Sequence, residues 1–131
     1  MDIKRRLLER KVDNRGQLVE VFPGSVMGRP DWGLVYLFSV NPGVIRGNHY
    51  HQQKNEWFFI AQGQIELVLG DRETAEQTIL RLSGDHPETV FIPAGIAHAV
   101  RNTSATTAVV VAYIDQEFDP DNPDTLYCDL I

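Results

Sequence analysis

Only one cysteine, Cys128, stands in this chain of 131 residues, so no disulfide can close within it. A reducing cytosol is the compartment such a chain leads one to expect. Long apolar runs are missing too. None approaches the roughly 20 residues of a membrane-spanning helix, and the opening MDIKRRLLERK has no apolar stretch of the kind a secretory signal needs. No membrane partner is therefore expected. Positive charge is in deficit, with 12 Lys and Arg against 18 Asp and Glu. The net charge of −6 argues against nucleic acid as the main partner. It leaves room for a small anionic ligand, because a local arginine cluster outweighs a global excess of acid. There is no glycine-rich phosphate loop and no strand–helix alternation, which excludes a dinucleotide fold of the βαβ kind. Internal repeats and low-complexity tracts are absent as well.

What remains reads as one all-β domain over residues 1–131. Its parts are an N-terminal segment (1–16), a small antiparallel β-barrel (17–115) and a C-terminal arm (116–131). Residues 2–10 are compatible with one short basic helix, and DNRG at 13–16 is a turn. Runs rich in Val, Ile, Phe and Tyr follow at 17–22, 34–40, 56–61, 64–70, 88–93, 98–102 and 108–114. Gly, Pro, Asn and Asp punctuate them, which predicts strands and turns in a sandwich or barrel. The last stretch, DQEFDPDNPDTLYCDLI, is rich in Pro and Asp and predicts an irregular arm lying on the barrel or on a partner subunit. The apolar strand AVVVAYI and this arm predict a homodimer that buries sheet edges.

The chemistry concentrates in GVIRGNHYHQQKNEWFFIAQG (43–63) and PAGIAHAVRN (93–102). His49 and His51 are one residue apart, so on a strand both side chains share a face. Glu56 is expected to return on the neighbouring strand after a tight turn, and His98 to arrive on a separate one. Three imidazoles and a carboxylate aimed at one volume suit a divalent first-row metal. Gly63 is expected to make a hairpin between the strands at 56–61 and 64–70. Pro93 and Gly95 are expected to make the turn that delivers His98. Tyr50 should point away from the site, and Glu56, Phe58 and Ile60 should share a face opposite Trp57 and Phe59. His86, beside Pro87 in a turn, reads as a solvated loop residue.

The spacing G-x5-H-x-H-x4-E-x6-G from Gly43 to Gly63, followed by P-x-G-x2-H-x3-N from Pro93 to Asn102, resembles the two signature motifs of the cupin superfamily. The resemblance covers roughly residues 34–115. It implies a jelly-roll β-barrel with a metal inside. RGNHYH (46–51), Lys54 and Glu56 narrow it to the cupins of nucleotide-sugar biosynthesis, the epimerases and ketoisomerases. Within these the chain is most similar to the zinc-binding epimerase domain of bifunctional capsular-polysaccharide enzymes. DNRGQLVEVF (13–22) and FDPDNPDT (118–125) resemble the opening and closing segments of such epimerases. In metal-free deoxysugar epimerases the residue matching His49 is the catalytic base, and no histidine matches His51. Here both imidazoles are read as ligands, since a ligated nitrogen cannot also take a proton.

The resemblance implies an isomerase acting on a nucleotide-linked 4-keto-6-deoxy sugar, with zinc at His49, His51, Glu56 and His98, and iron, manganese or nickel as alternatives. The ion would polarise the C4 carbonyl, while a separate group takes and returns the proton at C3. Tyr36 and Tyr113 are candidates for that proton transfer, although each alone also reads as a core or rim aromatic. Arg46 and Lys54 are candidates for the diphosphate, Arg15 a weaker one, and Trp32 a candidate to stack on the base. Two other classes fit the same residues: a metal-dependent dioxygenase, and an accessory cupin that binds sugar without turnover. No reductase segment is present, so any 4-keto reduction would fall to a partner enzyme.

Overall fold

A computed structural model describes residues 1–131. The β-branched and aromatic runs form eleven strands. In chain order they are β1 (Lys11–Asp13), β2 (Gly16–Pro23), β3 (Leu34–Val40), β4 (Ile45–Tyr50), β5 (Glu56–Gln62) and β6 (Gln64–Asp71). They continue as β7 (Gln77–Ser83), β8 (Thr89–Ile92), β9 (Ile96–Arg101), β10 (Ala108–Ile114) and β11 (Leu126–Tyr127). One sheet has the order β1-β2-β3-β10-β5-β8 and the other β11-β4-β9-β6-β7. All pairings are antiparallel. The two sheets make a jelly roll, open at its edges rather than hydrogen-bonded into a continuous barrel.

The core lies between the sheets. Phe38, Val40, Phe58, Ile60, Ile92 and Val110 come from one, and Ile65, Leu67, Leu82 and Val100 from the other. Strict alternation places them there: along β10, Ala108, Val110, Ala112 and Ile114 are buried while Val109, Val111 and Tyr113 are less so. The expected parity of β5 holds, with Glu56, Phe58 and Ile60 inward and Trp57 and Phe59 outward. No helix is long and apolar enough to cross a membrane.

Three expectations need correction. Residues 2–10 form no helix. They are exposed throughout, and so short a segment with nothing to pack its leucines against cannot hold a helix. Gly63 does not close a hairpin, because β5 pairs with β8 and β10 while β6 pairs with β7 and β9. It is the corner at which the chain leaves one sheet for the other. Its φ of +79° and the 2.9 Å from a notional Cβ to the Cα of Ala108 explain why only glycine fits. Glu56, finally, does not return on a strand beside β4. It comes from the opposite sheet, so the candidate ligands span the sandwich.

The C-terminal segment lies on its own jelly roll. β11 pairs with β4, placing Leu126 opposite Tyr50 and Tyr127 opposite His49.

Candidate metal centre

His49, His51, Glu56 and His98 converge, each offering a ligand atom within 4.8 Å of the others. A bulge arranges the imidazoles. In the β4–β9 ladder Gly47 faces Ala99 and His49 faces His98, so Asn48 is the extra residue, with φ +57°. Its side chain turns outward, where Oδ1 accepts from the amides of Leu130 (3.1 Å) and Ile131 (3.0 Å). Because the bulge precedes His49, the two-residue parity of His49 and His51 survives and both rings point inward. Ring centroids lie 4.6 Å apart for His49 and His98, 5.3 Å for His49 and His51, and 5.5 Å for His51 and His98. Tyr50 points away, its ring covered by the Arg72 guanidinium at 3.7 Å.

The hydrogen bonds leave lone pairs facing one point. His51 Nδ1 lies 2.6 Å from the Asp124 carbonyl and His98 Nδ1 lies 3.1 Å from the Ile96 carbonyl. A carbonyl only accepts, so both Nδ1 atoms carry hydrogen and both Nε2 atoms present lone pairs. His98 Nε2 is buried with no hydrogen-bond partner. His51 Nε2 stands 2.5 Å from Glu56 Oε1. Two acceptors at that distance require a proton or a cation between them. A buried nitrogen without a partner and a carboxylate 2% exposed are the donor set a divalent ion satisfies, so the residues fit a metal.

The titration directions describe the cluster with a proton, rather than an ion, between His51 and Glu56. Burial, reinforced by the neighbouring imidazoles, lowers His49 to about 4, so its ring is neutral near pH 7. Burial also lowers His98. Burial opposes the charged form of His51, but its bonds to Glu56 and Asp124 outweigh it and raise the group. Burial likewise opposes ionisation of Glu56, yet the hydrogen bond with His51 leads a set of contacts that lowers it. Tyr36 donates to Glu56 Oε2 at 2.7 Å, and its phenol is raised well above its ordinary value by burial and then by the Glu56 charge.

Beside the cluster lies a cavity of about 230 Å³ whose polar lining is Arg15, Tyr36, Arg46, His49 and His98. Leu18, Phe38, Phe58 and Val100 form its apolar wall. Arg46 reaches across the Phe38 ring (5.4 Å) and donates to the Ser39 carbonyl at 3.3 Å. Burial and then the nearby Arg15 charge lower it, and no carboxylate pairs with it. Arg15 is held by Asp13 at 2.7 Å. Two guanidiniums lining one cavity suit an anionic ligand.

Three other candidates lie elsewhere. Tyr113 is on the outer face of β10, where its hydroxyl accepts from the Gly33 amide at 3.3 Å and its ring packs on Trp57. Trp32 packs on Tyr113 from outside, with centroids 5.9 Å apart. Lys54 is 5% exposed and donates to the Glu117 carbonyl at 3.1 Å, beside the Phe118 ring. None of the three lines the cavity. Residues the sequence did not single out do the holding: Asp115 and Asp124 grip the loop between His51 and Glu56. The only hint of them was the acidic, proline-rich closing segment.

An antiparallel jelly roll with three imidazoles and a carboxylate between its sheets is a cupin. The chain belongs to the family described as Polysaccharide biosynthesis C-terminal domain, whose model matches residues 11–126. It is 31% identical over 88% of its length to the UDP-2-acetamido-2,6-beta-L-arabino-hexul-4-ose reductase of Pseudomonas aeruginosa strain PA103, spanning 30% of that protein. It is 26% identical to the spore coat polysaccharide biosynthesis protein SpsL of Bacillus subtilis strain 168, over 93% of this chain and 84% of that one. Among solved structures it matches the capsular polysaccharide assembling protein CapF of Staphylococcus aureus, with TM-score 0.86 and 32% identity. That match covers 95% of this chain and 32% of CapF. The chain thus spans about a third of the reductase and of CapF, but most of SpsL. The oxalate decarboxylase of Bacillus subtilis shares the fold at TM-score 0.75 and 17% identity, over 92% of this chain and 30% of that one. Its relatives are thus proteins of polysaccharide biosynthesis and nucleotide-sugar modification.

Proposed function

We propose that the chain is a metal-dependent isomerase of a nucleotide-linked 4-keto-6-deoxy sugar. The observation that carries this reading is the cavity that joins the His/Glu cluster to Tyr36 on one side and to two arginines at the mouth. The relatives named for polysaccharide biosynthesis and for a UDP-sugar reductase support the substrate class.

His49, His51, Glu56 and His98 would hold a divalent ion, whose chemistry there would be Lewis-acid polarisation of the ketone. The rest falls to the chain. Arg46, with Arg15, binds the diphosphate and orients the sugar ring inward. Phe38 and Val100 exclude water from one side of the cavity. Tyr36 is assigned the proton at C3: as the phenolate, which Arg46 and the charge of a bound ion would favour, its oxygen would take that proton and become the phenol that donates to Glu56 Oε2 at 2.7 Å. Return by Tyr36 to C4 would shift the keto group, whereas inversion at C3 would need a second donor on the opposite face, for which solvent water is the one available. Both outcomes share this first step.

Deuterium uptake at C3 of a UDP-linked 4-keto-6-deoxyhexose in D₂O tests that step. The metal-loaded chain should catalyse it, and Tyr36→Phe should slow it about 10²–10⁴-fold. Arg46→Ala should mainly raise KM. Oxygen uptake in place of exchange would mean a dioxygenase. Tyr36 is the only proton-transfer side chain in the cavity besides the imidazoles, which favours an accessory sugar-binding cupin as the second reading. Tight binding without exchange would establish it.

The chain is further proposed to work as a homodimer. The outer face of β3, β10, β5 and β8 presents Val35, Leu37, Val111, Tyr113, Trp57, Phe59 and Phe91, and no charged side chain. These four strands are about 19 Å wide at ~4.8 Å per strand and give on the order of 400 Å² of sheet, so flanking strands and loops would have to supply the rest of the roughly 800 Å² per partner of a standard interface. An uncharged face of this kind is complementary to itself, as a two-fold interface requires. Light scattering should give twice the chain mass for the wild type and a monomer for Val111→Glu. A monomeric wild type at high concentration would refute the dimer.

A further inference from the structure

We propose that Asp124 is a positioning residue of the metal centre, and that its carboxylate and carbonyl, with Asp115, are the clamp that sets the spacing of His51 and Glu56. The inference rests on the reading that the His/Glu cluster holds a metal.

The loop from Gln52 to Asn55 joins two ligands that belong to opposite sheets, so nothing in either ladder fixes its shape. Its four consecutive amides all donate to carboxylates from the end of the chain. Asp124 Oδ1 accepts from Gln52 N at 2.7 Å, and Oδ2 accepts from Gln53 N at 2.8 Å and Lys54 N at 3.1 Å. Asp115 Oδ1 accepts from Asn55 N at 3.0 Å. A run of amides converging on one anion is a nest, and here the chain supplies its own anion.

Asp124 also acts on a ligand directly. Its main-chain carbonyl accepts from His51 Nδ1 at 2.6 Å, which selects the tautomer whose Nε2 lone pair faces Glu56 and His98. One residue thereby sets the ring by its carbonyl and the following loop by its carboxylate. Asn55 extends the grip to the fourth ligand. Its Nδ2 donates to Asp115 Oδ2 at 2.9 Å, and its Oδ1 accepts from the amide of Ala94 at 2.9 Å, in the turn that leads to His98. The Gly95 amide closes the circuit on the His51 carbonyl at 2.6 Å. Asp124 itself is 8% exposed, so water does not compete strongly for these bonds.

A clamp and a mere anchor for the chain end differ in what they do to the metal. The test uses the full chain stripped of metal and titrated with Zn²⁺ against a chromophoric chelator, with circular dichroism to confirm folding. Asp124→Asn keeps the shape but turns one acceptor into a donor against the loop amides. It should stay folded and bind Zn²⁺ about 10–100-fold more weakly. Co²⁺ in its place should show a shifted ligand-field spectrum, which loss of an anchor alone would not produce. Should Asp124→Asn fail to fold, Asp124→Glu keeps the charge, moves it by one methylene, and should show the same weakening. Asp119→Ala removes a turn contact within the exposed part of the arm and should leave the Zn²⁺ affinity within about threefold. Wild-type affinity in folded Asp124→Asn, or equal weakening in Asp119→Ala, would overturn the clamp while leaving the metal site standing. A wild-type chain that takes up neither Zn²⁺ nor Mn²⁺ would instead overturn the metal reading.

Discussion

Chains carrying Glu56→Gln or His98→Ala should retain less than about a tenth of the divalent metal that the wild type carries through purification. The expectation follows from how little else holds the four groups together. His98 Nε2 has no partner within the protein, so removing that ring removes a donor that nothing nearby replaces. Glu56 Oε1 lies 2.5 Å from His51 Nε2 and 3.7 Å from His98 Nε2, making it the hub of the cluster. Glu56→Gln is the cleaner experiment. The amide has the same shape and can still accept from the Tyr36 hydroxyl through its remaining oxygen, while it loses the charge and one acceptor, so circular dichroism beside the metal assay separates loss of metal from loss of fold. Elemental analysis of the two purified variants beside the wild type provides the number. Unchanged stoichiometry in both would remove these residues from the ligand set.

The second large effect is on stability, at a position that is not itself a candidate ligand. Gly33→Ala should destabilise the chain by about 3 kcal/mol and lower its unfolding midpoint by on the order of 10 °C. A Cβ on Gly33 would sit 1.9 Å from the Ile114 carbonyl oxygen and 2.5 Å from the Asp115 carbonyl carbon, both main-chain atoms that cannot swing aside. The residue cannot retreat either, because its amide donates to the Tyr113 hydroxyl and its carbonyl accepts from Gly24 N at 2.8 Å. Pushing Asp115 outward would also loosen Asn55, so some loss of metal should accompany the loss of stability. Gly28→Ala is the control. Its notional Cβ meets nothing within 4 Å, and only the φ of +74° is unfavourable, so roughly 1–2 kcal/mol is expected. Equal midpoints for the two variants in thermal unfolding would refute the steric account.

Much of the fold could be read from residue order because alternation is a local signal. The strands now seen as β2, β3, β5, β6, β8, β9 and β10 were each visible as runs of Val, Ile, Phe and Tyr. The β7 strand was not, since QTILRLS leaves Ile79 half exposed and presents a weak apolar face. Strand pairing is a long-range property, and there local reading failed. Gly63 has the chemistry of a turn whether the chain doubles back or crosses to another sheet, and only the pairing of β5 with β10 decides between them. In the site, His49, His51, Glu56 and His98 were legible because two short blocks carry them all. Parity alone separates Tyr36, opposite inward Ala112, from Tyr113, opposite outward Trp57. The carboxylates of Asp115 and Asp124 lie 60 and 72 residues from the amides they meet, in a segment whose composition looks like solvated loop.

The candidate ligands divide unevenly between the layers: the three imidazoles belong to the side of β4 and β9, and Glu56 to the side of β5. An ion seated there is therefore a rivet through the sandwich. Whatever free energy it gains on binding is gained only by a chain whose layers are already face to face, so it adds to the cohesion of the whole molecule. At a hundred times its dissociation constant that contribution is about 2.7 kcal/mol, a large share of what holds a domain of this size together. Folding and metal supply are then one equilibrium, and a cell short of the ion would hold less of the folded protein as well as less of the loaded site.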